Sequence, residues 1–120
     1  MTDERGVMTV DREFFRRYLA AWGAGDVDAL MTFFTDDIVF RDMTMGHGAS
    51  GGAKMRRFAE YSFDSFPGAG FELVSHVCDG RSFAMEWLMR PGDIPGVSFG
   101  SLVGDRICEQ RDYWDGRRLS

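Results

Sequence analysis

Residues 97–114, VSFGSLVGDRICEQRDYW, carry the local signal from which the fold can be read outward. Two runs, 97–103 and 106–114, flank Gly104-Asp105, a dipeptide suited to a two-residue hairpin turn. Such a turn groups Val97, Phe99 and Ser101 on one face with Cys108, Gln110, Asp112 and Trp114. Upstream, 71–78 and 82–90 flank Asp79-Gly80-Arg81, a second hairpin signal. Its parity sets Leu73, Ser75 and Val77 with Ala84, Glu86 and Leu88, and a three-residue loop would reverse the grouping. The other face then carries Phe83, Met85, Trp87 and Met89, too apolar to leave in water. A homodimer formed through that outer sheet face would cover it. His76 falls on the same outer face.

Helical periodicity dominates the first third of the chain. Phe14, Phe15, Tyr18, Leu19 and Trp22 form one amphipathic stripe, with Thr9 as a candidate N-cap and Asp11 and Glu13 in the first turn. Gly23 and Gly25 end that helix, and Asp26 caps a short second one running to Phe34. Alternation over 38–43 predicts a strand, 46–52 a glycine-rich loop, and Met55, Phe58, Ala59, Ser62, Phe63 and Phe66 the apolar face of a third helix stopped by Pro67-Gly68. Helices followed by hairpins predict an α+β fold, with helices over one face of a curved antiparallel sheet.

A chain of 120 residues has room for one domain, and 44% hydrophobic residues suffice for its core. We assign residues 10–116 to that domain, with a flexible N-terminal tail over 1–9 and a C-terminal tail over 117–120. A formal charge of −5 opposes a nucleic-acid partner. No apolar run approaches the ~18 residues of a membrane span. The polar start lacks the pattern of a signal peptide, so a cytoplasmic location with reduced thiols is expected.

Three segments together resemble a family: residues 17–26, the stretch FFTDDIVFRD over 33–42, and GDRICEQRDYWD over 104–115. Their order and spacing are similar to the nuclear transport factor 2-like superfamily, specifically its SnoaL-like polyketide cyclase branch, across roughly residues 11–116. The resemblance implies a cone-shaped, cystatin-like α+β barrel in which three helices and a bent antiparallel sheet enclose a pocket. It also implies a dimer through the sheet. The fold hosts cyclases, isomerases, dehydratases, epoxide hydrolases and non-catalytic binders. Tyr18 and Asp42 stand where ketosteroid isomerases keep an oxyanion-stabilising tyrosine and a carboxylate base. Their second oxyanion acid falls near Phe99, which cannot donate a proton. Asp112 matches the acid/base aspartate of limonene epoxide hydrolase. Glu86 lies near that enzyme's second aspartate, whose preceding arginine is replaced by Ala84, and Asp42 replaces an asparagine.

The candidate catalytic residues are therefore Asp112, Asp42, Tyr18, Glu86 and His47. Three carboxyls in an apolar pocket should not all ionise, so burial and repulsion raise at least one pKa and let an acid and a base coexist. The alternative is that they reach solvent or pair with Arg41 or Arg111. Tyr18 either donates to an oxyanion or fills the helix stripe, and His47 either shuttles protons or is a solvated loop histidine. Phe14, Trp22, Phe40, Phe58, Phe63, Phe99, Gln110 and Trp114 are the candidate contacts for a small hydrophobic molecule, unless these aromatics simply fill the cone. No cofactor and no metal is expected: the two histidines and two cysteines have no zinc-like spacing, and Lys54 lacks the Ser or Thr that follows a P-loop lysine. The reading is a cofactor-independent acid/base enzyme acting on a small hydrophobic carbonyl or polyketide-like substrate, with aldol-type cyclisation foremost. Isomerisation, epoxide opening and ligand binding without turnover are the alternatives.

Overall fold

The structure is a computed structural model that describes residues 9–119. The expected tail over 1–9 lies outside the described residues except for Thr9, as does Ser120 of the C-terminal one. The cap of the first helix, α1 (Arg12–Ala24), is Asp11 rather than Thr9, its carboxylate accepting from Phe14 N at 3.1 Å. A charged acceptor at the N-terminus satisfies a free amide and suits the helix dipole. Gly25 ends α1 in the left-handed region that glycine adopts without strain (φ 66°). Asp26 caps α2 (Val27–Met31) through Ala29 N, as the sequence indicates, but α2 stops three residues short of Phe34. At the far end, Gly116–Leu119 is a single 3-10 turn rather than a plain tail.

Six strands follow: β1 (Phe34–Asp42), β2 (His47–Ser50), β3 (Gly70–Cys78), β4 (Ser82–Arg90), β5 (Ile94–Val103) and β6 (Arg106–Trp114). The helix α3 (Gly52–Ser65) stands between β2 and β3. They form one curved, unclosed sheet in the order β2-β1-β6-β5-β4-β3. The expected antiparallel pairing holds for four of the five strand pairs; the exception is β1, which runs parallel to β6 and sets Asp42 beside Asp112. The expected loop over 46–52 is corrected. Gly46 turns the chain at φ 74°, and 47–50 pair back onto β1. Gly48 permits that close pairing, since a Cβ there would stand 2.6 Å from Phe40 O. No described helix is long and apolar enough to cross a membrane.

Which face of the sheet lies inward is decided by a bulge. Leu102 pairs with Ile107 but Ser101 with Glu109, so Cys108 is surplus in β6. One extra residue reverses every side chain beyond it. Gly96, Ser98 and Gly100 therefore share a face with Gln110, Asp112 and Trp114, and Phe99 points the other way. In β4 the correction concerns direction. The pairings of Ser75 with Glu86 and Val77 with Ala84 are those the hairpin parity predicts, but this face is the outer one, and Leu73, beyond a register shift in β3, pairs with Trp87 and is buried instead. Phe83, Met85, Trp87 and Met89 are buried within their own chain, so they are not available as a dimer interface. His76 also turns inward, its ring 5.2 Å from that of Phe15.

The small residues of β5 explain why the large residues of β4 fit inside. The Trp87 ring lies over Gly96, and a Cβ on Gly100 would meet Phe83 Cε1 at 2.6 Å and the Glu109 carbonyl. Because that carbonyl is backbone and cannot swing aside, Gly100→Ala should cost about 1–3 kcal/mol. Gly70→Ala, at a position with nothing within 4 Å, should change stability by less than ~1 kcal/mol. Urea denaturation of the two variants checks the contrast, and equal losses would refute this account of β5.

Candidate functional site

Helices α1 and α3 and the inner sheet face enclose a cavity of about 320 Å³. Of the expected contacts, Trp22, Phe40, Phe58, Phe63, Gln110 and Trp114 line it. Phe14 does not; it is buried edge-on against Phe15 and Phe33. Phe99 lies outside, 41% exposed and beside Tyr113. Among the expected catalytic residues, Asp112, Asp42 and Tyr18 come together on the wall. Glu86 is exposed on the outer face, where Ser75 Oγ donates to it at 3.0 Å. His47 is exposed at the start of β2, near Tyr61, and lines a separate shallow depression with Lys54 and Arg57.

Five buried or half-buried side chains form one directed network. The Tyr18 hydroxyl donates to Gln110 Oε1 at 2.7 Å. Gln110 Nε2 donates to Asp112 Oδ1 at 2.8 Å and to Ser98 Oγ at 3.3 Å. Ser98 Oγ donates to the same Asp112 Oδ1 at 2.6 Å while accepting from Trp87 Nε1 at 3.0 Å. Both hydrogen bonds to Asp112 thus fall on one oxygen, and no buried side-chain polar atom among the described residues lacks a partner. Oδ2 is therefore left to the cavity.

Asp42 is held differently. Its Oδ1 accepts from the backbone amides of Thr44 and Met45, each at 3.0 Å, and from Trp114 Nε1 at 3.1 Å. Oδ2 receives only the indole, at 3.2 Å. The Thr44 hydroxyl donates to Trp114 O and accepts from Trp114 N, both at 2.8 Å, so the turn after β1 is tied to the end of β6. Asp42 is thereby fixed by the turn after β1 and the end of β6, and Asp112 by β5 and by its neighbour within β6.

The sequence pattern of the SnoaL-like domain matches residues 15–110, most of the chain and most of the cavity wall. The chain belongs to the SnoaL-like domain family. No curated protein matches it. Among solved structures, a hypothetical protein from Catenulispora acidiphila with a ketosteroid isomerase-like fold, in complex with trimethylamine, is similar with a TM-score of 0.79. It is 16% identical over 89% of this chain and 88% of its own. A candidate SnoaL-like polyketide cyclase from Shewanella putrefaciens gives 0.76 at 22% identity, covering 93% and 94%. An uncharacterized cystatin-fold protein from Novosphingobium aromaticivorans gives 0.70 at 20% identity, covering 84% and 95%. At such identities the likeness is one of fold.

Within this SnoaL-like domain the electrostatics single out Asp112. Burial pushes its carboxyl up from 3.8 to about 6; the hydrogen bonds from Ser98 and Gln110 work against that shift, and the nearby charge of Asp42 adds to it. Burial, followed by the charge on Asp112, also holds the Tyr18 phenol well above its usual range, so it stays protonated and a donor. Ser98, Trp87, Met85 and Met89 are site residues that the sequence reading missed. The available signal was Gly96-x-Ser98-x-Gly100, three small residues on one face of β5 that leave room for large neighbours inside.

The raised pKa has a consequence for stability. Between the unfolded value of 3.8 and the folded value of about 6, the native protein keeps a proton that the unfolded chain has lost. Stability is therefore highest below the lower value and falls as pH rises through the upper one, by roughly 2–3 kcal/mol. Asp112→Asn stays neutral and keeps an acceptor for Ser98 and Gln110. It should be the more stable protein at neutral pH by that margin, with the difference shrinking as pH falls toward 4. Urea denaturation across that range checks this, and a pH-independent difference would contradict it.

Proposed function

We propose that this SnoaL-like protein is a cofactor-independent acid/base enzyme that cyclises a small hydrophobic, polyketide-like carbonyl compound by an intramolecular aldol reaction. The observation carrying this reading is the Asp112 carboxyl, with Oδ1 clamped, Oδ2 open to an apolar cavity and a pKa of about 6. A carboxyl tuned toward neutrality is an effective proton acceptor and donor at the same pH. Asp112 Oδ2 takes a proton from the carbon beside a carbonyl, and the C–H electron pair becomes the enolate. The enolate carbon then bonds to a second carbonyl carbon of the same molecule. The alkoxide so formed recovers the proton from Asp112, so nothing is consumed.

Tyr18 acts here through Gln110, since its hydroxyl is already committed to Gln110 Oε1. It is a positioning residue in this scheme, and Gln110 and Ser98 share that role. Asp42, held by the Thr44 and Met45 amides and the Trp114 indole, contributes its charge beside Asp112. The outward direction of Glu86 removes the second acid that epoxide opening would borrow from the family resemblance.

Proton abstraction can be tested without knowing the natural substrate. In D₂O, the protein should accelerate deuterium exchange at the carbon between the carbonyls of a hydrophobic 1,3-diketone, followed by proton NMR. Asp112→Asn should lower the catalysed rate by roughly 10²-fold or more, whereas Glu86→Gln should leave it unchanged. The rate should rise with pH through about 6 as Asp112 ionises. Exchange that survives Asp112→Asn would sink the assignment.

A further inference from the structure

Proton transfer leaves one property of the cavity unused. Asp42 and Asp112 are partners on adjacent strands, and both line the cavity. Nine of the lining side chains are aromatic, and none is a lysine, arginine or histidine. The cations on the same two strands are directed elsewhere: Arg41 and Arg106 are exposed, and Arg111 is bound to Glu109 at 2.6 Å. Two neighbouring carboxyls inside aromatic walls therefore have no countercharge among the residues that line the cavity.

We propose that the cavity binds a small apolar ammonium, a protonated alkyl- or arylamine. Its N–H groups would bond to Asp112 Oδ2 and to the Asp42 carboxylate, with its hydrocarbon part against the aromatic walls. Each feature of the site favours this class over the others. A positive head group offsets the repulsion between the carboxylates and is attracted by the faces of aromatic rings. Among the described residues Asp112 Oδ2 has no donor and Asp42 Oδ2 has only the Trp114 indole, so acceptor capacity remains on both. An anionic ligand would be repelled. A hard metal ion needs about six oxygen ligands, and no cluster of three metal-ligating side chains occurs among the described residues. A neutral apolar molecule would fill the space and leave the charge unanswered. This inference goes beyond the aldol reading and does not rest on it, because binding requires no turnover. The two converge on a substrate that carries both an amine and an enolisable carbonyl.

Two probes with the same skeleton separate charge from shape: 2-phenylethylammonium and 2-phenylethanol. All three tryptophans, Trp22, Trp87 and Trp114, line the cavity, so fluorescence titration of the intact chain reads both. At neutral pH and low salt the amine should bind at least ~10-fold more tightly than the alcohol. In Asp112→Asn, which retains the acceptor for Ser98 and Gln110, the ratio should fall to within ~3-fold while the alcohol's affinity is unchanged. Asp42→Asn should lower the ratio in the same direction. Equal affinities, a preference for the alcohol, no binding of either probe, or an amine preference untouched by both substitutions would each overturn the proposal. Deuterium exchange reports separately on proton abstraction, so either reading can fail alone.

Discussion

The surplus residue Cys108 rotates β6 between Ile107 and Gln110, and the chemistry of the cavity follows from that rotation. Without it, Gln110, Asp112 and Trp114 would face the side occupied by Phe99 and Val97. With it, they meet Ser98 and lie over the space that α1 and α3 enclose. A bulge loses regular pairing at one residue, and here it brings an ionisable group into an apolar interior. The parallel pairing of β1 and β6 then sets Asp42 alongside. The inner side of α1 supplies the phenol that completes the chain of donors. Local backbone irregularity, rather than any single residue type, assembles the site.

How much of this could be read beforehand follows from which signals are local. The α1 stripe, the cap at Asp26, both hairpins and the third helix are written in spacing and turn chemistry within about ten residues, and each is found in the structure. Spacing cannot reveal a bulge, because Cys108 looks like any strand residue, and one such residue inverts parity for the rest of β6. The direction of β4 is hidden for another reason. Four large apolar residues suggest a surface to be covered by a second chain, whereas the small residues opposite them in β5 make room inside. Asp42, Asp112 and Tyr18 nonetheless all line the cavity, and what points to them in the sequence is the match to the family rather than parity. Glu86 and Phe99 were matched in the same way and face outward.

Placing a carboxyl where it resists ionisation works against folding. The network around Asp112 limits that penalty without abolishing it. Ser98 and Gln110 each donate to Oδ1, and each is fixed in turn, Ser98 by the Trp87 indole and Gln110 by Tyr18. A fully satisfied buried network orders its members, so Asp112 presents one oxygen in one orientation. The orientation of Asp112 and the order of its surroundings are thus set by the same network.

The cavity wall is not uniform in stiffness. Trp87 is pinned by its hydrogen bond to Ser98 and by its seat over Gly96, and Trp114 by Asp42 and Thr44. Met85 and Met89, which flank Trp87 on the same strand, have unbranched side chains with several rotatable bonds and line the same space. Beside the carboxyls the mould is hard, and along β4 it is plastic. For the occupants proposed above, such a chamber would discriminate sharply at the head group and tolerate variation in the tail. A set of molecules sharing one end could then enter it, each shaping the methionine side to its own outline.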